Sequence, residues 1–171
     1  MKAFLFDRDG TLIVNKHYLS TPMGIRFLPC AFDTLRFLLS KGYRLFIITN
    51  QSGTKRGYYS RNRIEEIHRE LLMRLKTEKI HISEIFYCDH HPNEHCNCRK
   101  PGSYFLKVLL RKYEMEPSNS YFVGDRREDL ELGKKLGLKT ILIKTPINQE
   151  FSYLADYVID NLCDIFKILN E

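Results

Sequence analysis

The stretch Asp7-Arg8-Asp9-Gly10-Thr11 follows the apolar run Phe4-Leu5-Phe6 without a gap, which sets two carboxylates, a glycine and a hydroxyl at the end of a buried strand. Two readings are open. Asp and Gly are common turn residues, so an acidic turn leaving a strand is one. The other is a reaction centre, with one carboxylate held free as nucleophile and metal ligand and the second, two residues on, exchanging protons with a leaving group. Phosphoryl transfer by such a pair needs a hydroxyl, a lysine and a further metal-binding acid, because a carboxylate attacking a phosphate monoester brings like charges together.

Residue types for all three recur further along. Thr49-Asn50-Gln51-Ser52-Gly53 offers hydroxyls and backbone N–H groups able to hold a phosphoryl oxygen. Arg99-Lys100-Pro101 supplies an ammonium, and Gly124-Asp125-Arg126-Arg127-Glu128-Asp129 a further carboxylate. Asp129 has two readings of its own, a partner for Lys100 or a metal-bound water, and an acid favoured at a helix amino terminus.

A second cluster lies between these motifs. Cys88-x-His90 and Cys96-x-Cys98 bring three thiols and an imidazole into eleven residues, a ligand set for one closed tetrahedral zinc, with independent reduced thiols as the alternative. His91 and His95 are neighbours able to replace His90. Cys30 and Cys163 sit in helical contexts and are expected as core residues.

The elements that must position these groups alternate. Apolar runs at residues 3–6, 43–48, 84–88, 120–123 and 139–143 read as buried parallel strands, with Tyr157-Val158-Ile159 a last short one. Helical spacing covers 31–39, 62–76, 104–113, 128–136 and 162–169. The prediction is an α/β, Rossmann-like, doubly wound, mainly parallel sheet, which binds ligands beyond the carboxyl ends of its strands. Asp7, Thr49, the Cys/His loop and Asp125 all fall at such ends.

With 171 residues, 43% of them hydrophobic and 28% charged, the chain is expected to form one domain spanning 1–171. Met1-Lys2 leads straight into the first strand, and no apolar run approaches bilayer-spanning length, so the expectation is a cytoplasmic protein with no membrane partner. The 27 Lys and Arg against 21 Asp and Glu leave a formal net charge of +6, spread without a dense block. That balance suits an anionic small molecule as readily as nucleic acid.

Taken together, Asp7-Arg8-Asp9-Gly10-Thr11, Thr49, Lys100 and Gly124-Asp125 with Asp129 resemble the haloacid dehalogenase (HAD) superfamily of phosphotransferases over essentially the whole chain. The resemblance implies that Asp7 attacks phosphorus to give an aspartyl phosphate, that Asp9 protonates the leaving alkoxide and then activates water, and that Thr49 and Lys100 stabilise the transferring oxygens. It also implies a Mg²⁺ held by Asp7, the Asp9 carbonyl and Asp125. Residues 10–29 and 54–99 leave no room for a substrate-covering insertion, so a capless enzyme is expected.

The Cys-x-His and Cys-x-Cys-Arg-Lys-Pro loop, whose ligands are Cys88, His90, Cys96 and Cys98, is similar to the branch holding D-glycero-D-manno-heptose 1,7-bisphosphate 7-phosphatases and histidinol-phosphate phosphatases, with a structural Zn²⁺. Thr49 to Gly53 followed by Arg56-Gly57, and Ala155-Asp156-Tyr157-Val158, lean toward the heptose enzymes. By that resemblance Asn15, Lys16, His17, Tyr18, Asn50, Gln51, Ser52, Arg99 and Arg126 contact a small phosphorylated metabolite, a sugar bisphosphate, the two arginines serving its second phosphate. For Arg126, a surface role or a salt bridge to Glu128 or Asp129 is the other reading. Asp89 stands where the branch has proline, and the loop after Lys100 is shortened to Pro101-Gly102-Ser103, with Ser103 a candidate helix cap.

The competing functions are a histidinol-phosphate phosphatase, a polynucleotide 3′-phosphatase and a zinc-stabilised binding module without catalysis. An amine substrate wants acids where Lys16, Arg99 and Arg126 stand. No segment interleaves aromatics with Arg and Lys as a nucleic-acid groove does, so no nucleic-acid partner is expected. A binding module requires a broken motif, and Asp7, Asp9, Thr49, Lys100 and Asp125 are all present. A monomer is expected.

Overall fold

The computed structural model describes residues 1–170. Six parallel strands, β1 (Ala3–Phe6), β2 (Arg44–Asn50), β3 (Glu84–Cys88), β4 (Tyr121–Gly124), β5 (Lys139–Ile143) and β6 (Tyr157–Ile159), form one sheet in the order β3-β2-β1-β4-β5-β6. The order reverses direction between β1 and β4. A crevice therefore opens at their carboxyl ends, where the crossovers on either side diverge.

Strand alternation divides the core in two. Phe4 and Phe6 of β1 point to the face covered by α1 (Ala31–Ser40), α2 (Arg61–Thr77) and α5 (Ile165–Ile168); Ala3 and Leu5 point to the face covered by α3 (Tyr104–Lys112) and α4 (Arg127–Lys135). Each helix buries one stripe. In α2 it is Ile64, Ile67, His68, Leu71 and Leu75, a helical repeat that carries one titratable ring. Gly42, just past α1, adopts φ +79°, a left-handed helix stop that L side chains disfavour.

The α/β doubly wound prediction is realised, with local corrections. β2 runs on through Thr49 and Asn50, which pair with Tyr87 and Cys88, so the expected turn begins only at Gln51. β3, expected to be buried, is a half-buried edge strand. The final helix is broken into a 3₁₀ turn, Leu162–Asp164, and a single α turn. Ser103 makes no side-chain cap. Among the described residues, 10–29 hold one regular element, the 3₁₀ turn Pro22–Gly24, and 54–99 hold α2, β3 and the turn Pro92–Glu94.

Cys30 and Cys163 are not separate core thiols. They form a disulfide, joining the start of α1 to the turn before α5 with 5.5 Å between Cα atoms. Both segments pack on the same face of the sheet, a proximity that 133 residues of sequence separation conceal. No helix among the described residues is long and apolar enough to cross a membrane.

Candidate active site

β1 ends directly in Asp7. Its Oδ1 accepts a hydrogen bond from the Arg8 amide at 2.7 Å and lies 2.9 Å from Lys100 Nζ. Lys100 is buried, and its ammonium also donates to Asp129 Oδ1 at 2.6 Å. Burial pulls the lysine pKa down, but Asp129 and Asp7 outweigh it, so the ammonium stays charged. Asp129 Oδ2 accepts from the Arg126 amide at 3.0 Å. Both sequence readings of Asp129 therefore hold: it is an acid at the start of α4 and the partner of Lys100.

These carboxylates fit only because two positions lack side chains. A Cβ on Gly10, at φ +82°, would lie 2.3 Å from Asp125 Oδ2, and one on Gly124 would lie 2.2 Å from Asp129 Oδ2. Asn148, almost fully buried, donates to the Asp125 carbonyl at 3.0 Å and the Ile143 carbonyl at 2.9 Å, fixing the loop that carries Asp125. Burial, then the neighbouring Asp7, pushes the Asp125 carboxyl up to about 7.

Asp7, Asp125 and Asp129 can each present an oxygen within 4.8 Å of the others, with Lys100 the only ammonium among them in the described residues. Asp125 Oδ1 is buried without a partner among the described residues. Surplus negative charge on hard oxygen donors fits a divalent cation such as Mg²⁺.

A cavity of ≈ 320 Å³ opens over this cluster. Asp7, Asp9, Thr49 and Lys100 line its floor, and Asn15, His17, Tyr18, Ser52, Arg99 and Arg126 its sides. Lys16, expected with them, is exposed and does not line it. Asn50 and Gln51 do, but their amides are engaged by protein: Asn50 with the Lys100 backbone, Gln51 with Asp9, Thr49 and Arg8. Arg99 Nη1 is buried and unpartnered among the described residues. Arg126 is half exposed with Nε 3.7 Å from Asp125 Oδ2, rather than paired with Glu128 or Asp129.

In the cysteine loop the sulfurs of Cys88, Cys96 and Cys98 lie 3.1–3.5 Å from one another, and His90 Nδ1 lies 3.4 Å from Cys88 Sγ and 3.2 Å from Cys98 Sγ. The four ligand atoms cluster within 4.8 Å. His91 is occupied elsewhere, its Nδ1 accepting from the Asn93 amide at 3.2 Å, and His95 lies outside the cluster. Burial and the sulfur neighbours push the Cys88 thiol up, so a cation that makes thiolates tolerable fits this donor set.

Arg8, His68, Tyr59 and Asn148 contact residues of the site without standing out in the sequence. Arg8 is hidden inside the motif as the residue between two aspartates. A signal for His68 was present: a titratable ring on the apolar stripe of α2 needs a buried partner.

Residues 97–165 match the hydrolase-like family described as HAD-hydrolase-like. A D-glycero-beta-D-manno-heptose-1,7-bisphosphate 7-phosphatase of Haemophilus influenzae is 35% identical over 99% of this chain and 97% of its own. A D-glycero-alpha-D-manno-heptose-1,7-bisphosphate 7-phosphatase of Campylobacter jejuni is 30% identical over 99% and 96%. The crystal structure of a D,D-heptose 1,7-bisphosphate phosphatase from B. bronchiseptica, complexed with magnesium and phosphate, shares the fold at a TM-score of 0.88, covering 99% of this chain and 98% of that one at 24% identity. With relatives at 30% identity and above along nearly the full length of both sequences, the chain belongs to the heptose-1,7-bisphosphate 7-phosphatase family of HAD-like hydrolases.

Proposed function

We propose that the chain is a phosphatase that removes the 7-phosphate of D-glycero-D-manno-heptose 1,7-bisphosphate through a covalent intermediate on Asp7. The observation that carries the chemistry is the asymmetry of Asp7: Lys100 and the Arg8 amide both engage Oδ1, leaving Oδ2 as the oxygen free to attack. Relatives named for that substrate, at 35% and 30% identity, support its identity.

Asp7 Oδ2 forms a bond to phosphorus as the bond to the sugar oxygen breaks. Asp9 gives its proton to the departing alkoxide. Water then attacks the aspartyl phosphate, Asp9 takes a proton from it, and phosphate leaves with Asp7 restored. Lys100 holds Asp7 and neutralises charge on the transferring oxygens. The Thr49 hydroxyl already accepts from Gln51 Nε2 at 2.9 Å, so its own proton is available to a phosphoryl oxygen. Mg²⁺ would be held by Asp7, the Asp9 carbonyl and Asp125, and when bound supplies charge neutralisation to the phosphoryl group.

The buried, unpartnered Arg99 nitrogen and the half-exposed Arg126 suit a second phosphate at the rim, which favours a bisphosphate over histidinol phosphate. Residues 1–171 act as one capless unit on a small metabolite, with Zn²⁺ on Cys88, His90, Cys96 and Cys98 holding the loop that presents Arg99.

The test is kcat/KM for both anomers of the heptose bisphosphate and for histidinol phosphate, with Asp7→Asn as the null. A bisphosphate anomer is expected to lead, and Asp7→Asn to abolish turnover while keeping fold and zinc content. Preference for histidinol phosphate would overturn the substrate; turnover by Asp7→Asn would overturn the nucleophile. Elemental analysis should find about one zinc per chain.

A further inference from the structure

Arg8 lies between the two aspartates of the first motif, and its side chain is 1% exposed. A guanidinium buried to that degree must have its charge and its donors met. Its Nε and Nη2 donate to Asp9 Oδ2 at 3.1 and 2.8 Å. Nη2 also donates to Gln51 Oε1 at 2.8 Å, and Nη1 lies 3.0 Å from His68 Nε2. A guanidinium only donates, so His68 Nε2 is the acceptor and the ring carries its proton on Nδ1. Burial, then Arg8, lowers the His68 pKa to about 3, which keeps that ring neutral and able to accept.

The Gln51 amide closes the arrangement. Its Oε1 accepts from Arg8 and from the Tyr59 hydroxyl at 3.3 Å, which orients Nε2 toward Asp9 Oδ2 at 2.8 Å and Thr49 Oγ1 at 2.9 Å. Three N–H groups therefore converge on one oxygen of Asp9. The other oxygen, Oδ1, is buried and has no partner among the described residues. A carboxyl group whose Oδ2 is filled by donors has room for a proton only on Oδ1.

We propose that Arg8, braced by His68 and Gln51, is the positioning residue that assigns the proton-carrying oxygen of Asp9, locking Oδ2 so that Oδ1 alone gives and takes the proton. The proposal rests on the reading of Asp9 as proton carrier. In the first step the Oδ1–H bond breaks as the proton passes to the alkoxide released from phosphorus. In the second, Oδ1 takes a proton from the water that attacks the aspartyl phosphate, so the group returns to its starting state. The guanidinium matters because Nε and Nη2 both aim at Oδ2 while Nη1 is anchored on His68, a set of fixed directions that a single ammonium does not supply.

The test exploits leaving-group chemistry. Release of a sugar alkoxide needs a proton, whereas p-nitrophenolate leaves as a stable anion. In Arg8→Gln and Arg8→Lys, kcat/KM for the sugar phosphate should fall about 10²-fold, while kcat/KM for p-nitrophenyl phosphate should change by about threefold or less. His68→Gln, which removes one brace, should shift the same ratio in the same direction by a smaller factor. Asp9→Asn provides the reference: it should show the selectivity in full, and equal losses on both esters there would sink the proton-carrier reading itself. Selectivity in Asp9→Asn without any in folded Arg8→Lys and His68→Gln would overturn the role of Arg8 and leave that reading intact. Should Arg8→Gln not fold, the Arg8→Lys ratio decides.

Discussion

Asn50 grips the backbone of Lys100 with both ends of its amide: the Lys100 N–H donates to Asn50 Oδ1 at 2.9 Å, and Asn50 Nδ2 donates to the Lys100 carbonyl at 3.2 Å. The end of β2 thereby fixes a lysine 50 residues away in sequence. Asn50→Ala strands both backbone groups. It should lower kcat by about 10²-fold through displacement of the ammonium. Unfolding stability should fall by about 1–3 kcal/mol. Steady-state kinetics and urea unfolding on the same preparation check both.

Among the described residues, Lys100 is the only ammonium between Asp7 and Asp129. Lys100→Met keeps much of the side-chain volume but leaves buried carboxylates facing each other without a cation. Stability should drop by about 3–5 kcal/mol in metal-free buffer. Turnover should fall at least about 10²-fold. Denaturant midpoints with and without Mg²⁺ provide the readout, and a larger Mg²⁺ stabilisation in the variant than in the natural protein is expected.

His68 carries a sharp acid sensitivity. Its folded pKa of about 3 lies below the value of 6.5 it titrates from, so between those values the unfolded chain binds the extra proton. The contribution of the neutral ring is complete above pH 6.5 and is lost as pH falls, by about 1.4 kcal/mol per pH unit. His68→Gln removes this dependence. Unfolding free energy measured from pH 7 to pH 4 should be flatter in the variant, and parallel curves would contradict the burial argument.

The Cys30–Cys163 disulfide closes a loop of 133 residues and ties the C-terminal turn to α1. Constraint of the unfolded chain by so long a loop is worth up to about 5 kcal/mol. Cys30→Ser should lower stability by about that amount under oxidising conditions and change it little in excess reductant. Peptide mapping without reduction should recover the linked pair, and the zinc content should not change.

The chemistry of this chain was legible because it is written in short segments at strand ends. Asp7, Thr49 and Asp125 each end an apolar run whose β character shows in its residue types, Lys100 follows the Cys/His loop that leaves another, and the β-α alternation predicts that such ends converge. The choice of His90 over His91 was not legible, since all three histidines lie within six residues and only backbone direction separates them. Asn50 and Gln51 read as substrate contacts from their position; that their amides are engaged by Lys100, Asp9 and Arg8 depends on where the neighbouring strand ends lie.

Local pattern by itself determined the parallel α/β alternation and where the carboxylates, lysine and thiols fall along the chain, because periodicity and strand-end motifs are properties of a few neighbouring residues. Only the tertiary structure decided the pairings that cross long stretches of chain: Lys100 between Asp7 and Asp129, Arg8 against His68 on α2, and Cys30 against Cys163. Each of these depends on how helices pack over a sheet and on which buried charge lacks a partner. Those conditions arise only once the whole chain has excluded water from the site.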